Sequence, residues 1–222
     1  MPPENNALLT AVVFDLDGLM FDTETLYSDT ARQILARRGK ELTQDLTDAM
    51  MGRKSEESLA IMAKSCNLVE TVDQLRTETD EIFASLIEHD LTPMPGLWEL
   101  LDTLRAHHFP LGIATSSRCN NVEPVLNKFD LSDQFQFVLT AENVEQGKPH
   151  PEIYLTAARM LNVPPAQIMV LEDSQIGCRA AVAAGAFTVA VPASHSRNQN
   201  FESVAFVANG LNDVRIRQAL HV

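Results

Sequence analysis

Hydrophobic positions along the chain follow two different periods. The first apolar run, Ala11-Val12-Val13-Phe14, leads into Asp15-Leu16-Asp17-Gly18. A short β-branched run bounded by polar residues and an Asp-Gly turn predicts a buried strand. From about Asp22 to His89 the period becomes helical and strands are scarce. Leu26, Thr30, Ile34 and Leu35 predict a helix stopped by Gly39, and Leu42 to Met51 a second halted by Gly52. Ser55 is placed to cap a third, carrying Leu59, Ile61 and Met62, and Thr71 to Ile87 predicts a fourth with Val72, Leu75, Ile82, Phe83 and Leu86 inward. These stripes read as helix-bundle core. From Thr92-Pro93-Met94-Pro95-Gly96 onward the chain alternates. Helices are expected over 97–107, 121–129, 153–161 and 175–184, and strands over 110–114, 135–139, 168–171 and 187–191. A last strand over 204–207 and a last helix over 214–220 follow.

This alternation predicts an α/β fold: a doubly wound, mostly parallel, Rossmann-like sheet covered on both faces. The helical block is far longer than an ordinary strand-to-helix connection, and reads as an inserted all-helical domain. The expected division is 1–18 plus 95–222 for the α/β core and 19–94 for the insertion. No internal repeat or low-complexity segment interrupts either part.

Composition narrows the function. A 222-residue chain with 45% hydrophobic and 21% charged residues is a globular protein with a real core. Its formal net charge of −13 disfavours nucleic acid and anionic membrane as partners. An anionic substrate would therefore have to be held locally, by a metal, a lysine or backbone amides. Cys66, Cys119 and Cys178 are scattered, without metal-ligand spacing, as expected of reduced thiols. Met1-Pro2-Pro3-Glu4-Asn5-Asn6 lacks the basic-then-apolar pattern of a secretory signal, and no apolar run approaches a membrane span. A cytoplasmic location and a monomer are expected.

The chemistry lies where the predicted strands end. Asp15 and Asp17 close the first strand, at the edge where open α/β sheets bind ligands. A buried acid pair is costly without compensating charge. A divalent cation would supply it, leaving one acid as nucleophile and the other to carry protons. Read alone, Asp17-Gly18 is equally a turn and Asp15 a strand-end cap. Thr115 and Ser116, after Ile113-Ala114, offer hydroxyls and amides to an anion, or an ordinary helix cap. Lys148 stands in Gly147-Lys148-Pro149-His150-Pro151, stiffened by prolines, where a plain surface lysine is the alternative. Glu172 and Asp173 end the run Val170-Leu171 and would repel one another without a cation, where an Asp173 or Ser174 helix cap is the alternative. Together the segments carry a carboxylate nucleophile, a proton donor, oxygen ligands for Mg²⁺, and a cation with hydroxyls for phosphoryl oxygens. That is the inventory of phosphoryl transfer.

In this order the segments resemble the signature motifs of the haloacid-dehalogenase superfamily. Phe14-Asp15-Leu16-Asp17-Gly18-Leu19-Met20-Phe21-Asp22-Thr23-Glu24 and Leu171-Glu172-Asp173-Ser174-Gln175-Ile176-Gly177 are similar to those of its β-phosphoglucomutase-like phosphatases, which insert a helical cap domain after the first motif. The resemblance implies that Asp15 attacks phosphorus and forms an aspartyl-phosphate. It implies that Asp17 protonates the leaving group and then activates water. Mg²⁺ would be held by Asp15, the Asp17 carbonyl, Asp173, and Glu172 directly or through water. Thr115, Ser116 and Lys148 would bind the phosphoryl group, Lys148 pairing with Asp15 as well. The hinges of a closing cap would lie at Gly18 to Glu24 and Leu91 to Gly96.

Departures from the mutases are visible. Tyr27 stands where they carry a hinge histidine, and Ser55 aligns with their cap arginine. A phosphatase acting on a small phosphorylated metabolite, a sugar phosphate or nucleoside monophosphate, is therefore expected over a phosphomutase. Arg53 and Lys54, after Met51-Gly52, and Arg118 are candidates for substrate recognition, or solvated surface charges. The Met-Gly-x-Lys loop and Ala-Thr-Ser-Ser-Arg segment are also similar to pseudouridine-5′-phosphatase-like members. An alternative of another class is a phospho-accepting receiver-like signalling module. Receivers put the acceptor aspartate on a later strand and lack a helical insertion.

Overall fold

The computed structural model describes residues 8–50, 53 and 55–222. The expectations for Met1–Asn6, Met51, Gly52 and Lys54 lie outside the described residues.

The first strand forms as its pattern dictates. Strand β1 (Ala11–Phe14) is wholly buried, and it shares its sheet with β2 (Leu111–Ala114), β3 (Phe137–Leu139), β4 (Ile168–Glu172), β5 (Phe187–Ala190) and β6 (Phe206–Val207). All pair in parallel, in the order β3-β2-β1-β4-β5-β6. The fold is the expected α/β, Rossmann-like one. The chain winds outward from β1 to β3, then returns to β4 on the other side of β1. The strand order thus reverses between β1 and β4, which places a ligand crevice at their carboxyl ends.

The connecting helices of the sheet are α5 (Leu97–Ala106), α7 (Glu152–Leu161), α8 (Gln175–Ala183) and α9 (Val214–Leu220). Alternation along the strands puts Val13 and Val170 on one face. There they join Ala157, Ala158, Ala180 and Ala181 in one buried cluster. Those small residues let α7 and α8 lie close against the sheet.

The remaining helices are α1 (Thr23–Ala36), α2 (Gln44–Met50), α3 (Ser55–Cys66), α4 (Val72–Asp90) and α6 (Cys119–Lys128). The described residues fall into two compact units. One comprises the chain up to Asp22, Thr92–Ser116 and Leu131–Val222; the other Thr23–Leu91 with Ser117–Asp130. Ile34, Leu35, Leu46, Leu59, Met62, Leu75 and Ile82 form the core of the helical unit, and Val72 and Leu86 pack on its margin. The α6 segment joins this unit for a visible reason. Lys128 Nζ donates to the carbonyls of Ile87 (2.7 Å), Glu88 (3.2 Å) and Leu91 (3.3 Å). A cation there satisfies carbonyls that the end of α4 leaves without helical partners.

Several element ends differ from expectation. Thr71 caps α4 instead of starting it: its hydroxyl accepts from Gln74 N, and Gln74 Oε1 accepts from Thr71 N at 2.8 Å. Helix α4 then runs on to Asp90, beyond Ile87. Ser55 is the first helical residue of α3 rather than its cap. Residues 132–134 form a 3-10 turn, so β3 starts at Phe137. The last strand is shorter than expected, Phe206–Val207. Two connections run side by side: Asp22 N donates to Thr92 O (3.0 Å) and Met94 N to Met20 O (2.9 Å).

An ion network ties the turn after α1 to α4 and to the loop before it. Arg38 Nη2 donates to Glu78 Oε2 (2.7 Å), Arg37 Nη1 to Glu78 Oε1 (2.7 Å), and Arg38 Nε to Glu70 Oε1 (2.8 Å). The Arg38 guanidinium holds the Glu78 carboxyl below its ordinary 4.5. A carboxyl depressed on folding stabilises above its unfolded pKa, and that stability is lost as pH falls through the folded value. Glu78→Gln should therefore cost about 0.5–1 kcal/mol at neutral pH. In urea unfolding, the gap from wild type should shrink as pH drops below about 4.5. A gap that stays constant with pH would mean that the charge contributes nothing.

Candidate active site

The strand ends bring the acids together. Asp15 follows β1 directly, and its amide donates to Leu171 O (3.0 Å), fixing it beside β4. Glu172 ends β4 and Asp173 follows it. All three are buried, and one carboxylate oxygen from each lies within 4.8 Å of the others. Ordinarily three acids so close would not remain buried.

Lys148 supplies the compensating charge. Its Nζ reaches Asp15 Oδ1 (2.5 Å), Glu172 Oε1 (2.7 Å) and the Ala114 carbonyl (2.9 Å). An ammonium has three N–H donors, and all three are spent on ends of β1, β2 and β4. Burial pulls the Lys148 ammonium down, but Asp15 and Glu172 override it and hold it well above its ordinary range. The loop that delivers it contains the prolines noted in the sequence, with a cis Lys148–Pro149 bond. It is also clamped by Glu152, whose carboxylate accepts from Glu145 N (2.9 Å) and Gln146 N (3.0 Å).

Glu172 is the most enclosed acid, fully buried. Besides Lys148, its Oε1 accepts from the Tyr154 hydroxyl (2.7 Å), and its Oε2 from Ser174 Oγ (3.0 Å) and Ser174 N (3.2 Å). Ser174 also caps α8, accepting from Gly177 N at 3.1 Å. The cap and the site are one device: the helix start that Ser174 satisfies also orients Glu172. Burial pushes the Asp15 carboxyl well up, against the pull of Lys148. Asp173 is raised by burial and then by Glu172.

Asp17 is half-buried and stands slightly apart. Its Oδ2 accepts from Thr115 Oγ1 at 2.7 Å. Thr115 is fully buried and its amide donates to Leu139 O (2.9 Å). It is therefore no helix cap; its hydroxyl aims the second acid. Ser116 is exposed at the end of β2. Gly18, at φ +76°, leaves room for the acids: a Cβ there would lie 2.8 Å from Asp173 Oδ2 and 2.7 Å from His195 Cε1.

Arg53 and Arg118 belong to the helical unit. Arg53 Nε donates to Ala49 O (2.8 Å), and Arg118 Nη1 lies 3.9 Å from Glu56 Oε1. Lys54 is outside the described residues. Tyr27 stacks on Phe83, with ring centroids 4.3 Å apart and planes at 11°, and its hydroxyl lies 3.1 Å from Ser117 Oγ.

Tyr154 and His195 escape sequence reading. Tyr154 looks like one more core aromatic of a helix. His195 lies 22 residues past Asp173 in an irregular segment, yet its Nε2 is 2.6 Å from Asp173 Oδ2. Only its place beyond the carboxyl end of a parallel strand could have marked it.

A family model for haloacid dehalogenase-like hydrolases matches residues 12–191. The chain belongs to that family. It is 33% identical over 177 residues to a phosphorylated carbohydrates phosphatase of Thermotoga maritima, covering 80% of this chain and 82% of that one. It is 30% identical over 192 residues to a β-phosphoglucomutase of Bacillus subtilis, covering 82% and 83%. A crystal structure described as a putative β-phosphoglucomutase from Thermotoga maritima matches with a TM-score of 0.80 at 29% identity, over 95% of this chain and 99% of that one. This haloacid dehalogenase-like chain is thus an enzyme, a hydrolase among phosphatases. The donor set suits the hard divalent cation that the family generally uses: three buried carboxylates, all oxygen, with one lysine against them. Among the described residues no helix is long and apolar enough to cross a membrane.

Proposed function

We propose that this hydrolase is a Mg²⁺-dependent phosphomonoester phosphatase of small phosphorylated metabolites, sugar phosphates or nucleoside monophosphates, working through an aspartyl-phosphate on Asp15. The observation that carries the reading is Lys148, bonded at once to Asp15 and Glu172, beside Asp173. Asp15, the Asp17 carbonyl and Asp173 would hold Mg²⁺, with Glu172 in direct or water-mediated support. When bound, the cation supplies the positive charge that lets an anionic carboxylate meet an anionic phosphate.

The residues then divide the work. An Asp15 carboxylate oxygen forms a bond to phosphorus as the ester P–O bond breaks. Asp17, aimed by Thr115, gives its proton to the leaving alkoxide. Asp17 next takes a proton from water, whose oxygen bonds to phosphorus as the Asp15–phosphorus bond breaks. Inorganic phosphate leaves and both acids are restored. Lys148 acts by charge, since its N–H groups are already taken; Ser116, exposed at the strand end, donates to a phosphoryl oxygen.

Arg53, Lys54 and Arg118 are proposed to select the leaving group, from a helical unit that serves as the cap domain. Similarity to a phosphorylated carbohydrates phosphatase favours sugar phosphates. The mutase reading is supported by the β-phosphoglucomutase relative, but Tyr27 is engaged with Phe83 and Ser117 where a mutase needs histidine. The scattered cysteines Cys66, Cys119 and Cys178 support a reducing, cytoplasmic setting.

The test is phosphate release from p-nitrophenyl phosphate and a panel of sugar phosphates and nucleoside monophosphates, with MgCl₂ or chelator. Turnover should require Mg²⁺ and fall about 10²–10⁴-fold in Asp17→Ala. Undiminished turnover in that variant removes the acid–base role. Absence of turnover overturns the proposal, and isomerisation primed by a sugar bisphosphate would favour the mutase.

A further inference from the structure

We propose that His195 is a positioning residue for the cation site: it holds one oxygen of Asp173 so that the other faces the metal. The inference rests on reading the acid cluster as that site. His195 Nε2 lies 2.6 Å from Asp173 Oδ2, with the imidazole largely enclosed and the carboxylate almost fully so. With its proton on Nε2, the imidazole donates to Asp173 Oδ2. This spends Oδ2 and leaves Oδ1 for coordination.

The segment carrying His195 is built to hold it there. Val191 N donates to Glu172 O at 2.7 Å, tying its start to β4. Ser196 is fully buried, and its Oγ accepts from Ala193 N at 3.1 Å, closing a turn around His195. Gln199 Oε1 accepts from Gln175 N (2.7 Å), fastening the far side to the start of α8. Gly18 completes the fit, because a Cβ there would fall 2.9 Å from Nε2. The imidazole therefore rests on the turn that follows Asp17.

His195 is not itself a ligand in this arrangement. Among the described residues the close ligand group is Asp15, Glu172 and Asp173, and His195 is outside it. Its contribution is to limit the rotation of Asp173 before the cation arrives, sparing the cost of ordering that side chain on binding. Partners of metal-ligating groups of this kind are typically worth 10–100-fold in metal affinity.

The experiment is calorimetric titration of the metal-free full-length protein with MgCl₂, without substrate, for wild type, His195→Leu and His195→Gln. Circular dichroism and melting in chelator check that each variant folds. His195→Leu should weaken Mg²⁺ about 10-fold or more. His195→Gln, which keeps an N–H at similar reach, should stay within about threefold of wild type. Equal affinity in wild type and His195→Leu would overturn the assignment. So would a folded His195→Gln as weak as His195→Leu, since packing alone would then explain the loss. Phosphate release from the same preparations separates the two levels. Turnover with unchanged affinities sinks only the role of His195; no Mg²⁺ uptake and no turnover sinks the catalytic reading with it.

Discussion

Asp15→Asn should abolish Mg²⁺-dependent turnover of p-nitrophenyl phosphate, by about 10⁴–10⁶-fold, the scale on which loss of a nucleophile is felt. The amide keeps the shape of the carboxyl but is a poor nucleophile and cannot carry the aspartyl-phosphate. The same variant makes a second prediction, opposite in sign to an ordinary buried substitution. Burial raises the Asp15 carboxyl well above 3.8, and Glu172, Asp173 and Asp17 add to Lys148's failure to bring it down. A carboxyl raised on folding leaves stability intact below its unfolded pKa, and that stability is lost as pH rises through the folded value. Asn carries no such cost. In chelator at about pH 8 the variant should therefore melt at or above wild type, and the difference should narrow towards about pH 4. Added MgCl₂ should raise the melting temperature of wild type more than that of the variant. Turnover within tenfold of wild type would remove Asp15 as nucleophile. A melting temperature well below wild type at alkaline pH would mean that the pair with Lys148 outweighs the desolvation of the acids.

Gly177→Ala should damage both stability and turnover, although glycine-to-alanine inside a helix ordinarily stabilises by about 0.5–1 kcal/mol. Gly177 lies in the first turn of α8, where an added Cβ would fall 1.7 Å from Glu172 Oε1 and 2.0 Å from Glu172 Cδ. That carboxylate has nowhere to retreat. It is fully buried and held by Lys148, Tyr154 and Ser174. Either α8 shifts or Glu172 gives up partners, and overpacking of this kind costs about 1–3 kcal/mol. Displacing Glu172 also loosens the ammonium it shares with Asp15, so turnover should fall at least about tenfold, as for misplaced catalytic groups. Urea unfolding and p-nitrophenyl phosphate turnover check the two parts. A stabilised, fully active variant would show that Glu172 is not the rigid support described here.

Much of this was legible because it is written locally. Ala11–Phe14 followed by Asp15 is a strand with an acid at its end whatever the rest of the chain does, and the same holds for Ile168–Glu172 with Asp173. The helical stripe of Leu75 and Ile82 declares a buried face before the partner helices are known. Motif order carried the family resemblance for the same reason. Where local signals are ambiguous, the sequence left two readings. The Glu172-Asp173-Ser174 segment reads as an acid pair or as a helix cap; in space Ser174 Oγ caps α8 and also donates to Glu172 Oε2. Thr115 was expected as a hydroxyl for the phosphoryl group; in space that hydroxyl donates to Asp17 Oδ2, a contact no local pattern announces.

The periods and motifs of the chain determined by themselves the parallel sheet, the helical block and the acids and lysine of its edge, since each depends on neighbours a few residues away. Tertiary structure alone decided which groups hold those residues in place. Tyr154 on Glu172, His195 on Asp173, Glu152 on the Lys148 loop and Lys128 on the end of α4 are the cases. Three of these four pairs span 18 to 41 residues, and the exception, Glu152, reaches back seven residues to a bare amide. No period or spacing encodes such contacts: a buried polar atom takes whichever partner the packed chain brings within reach, and only the fold brings them together.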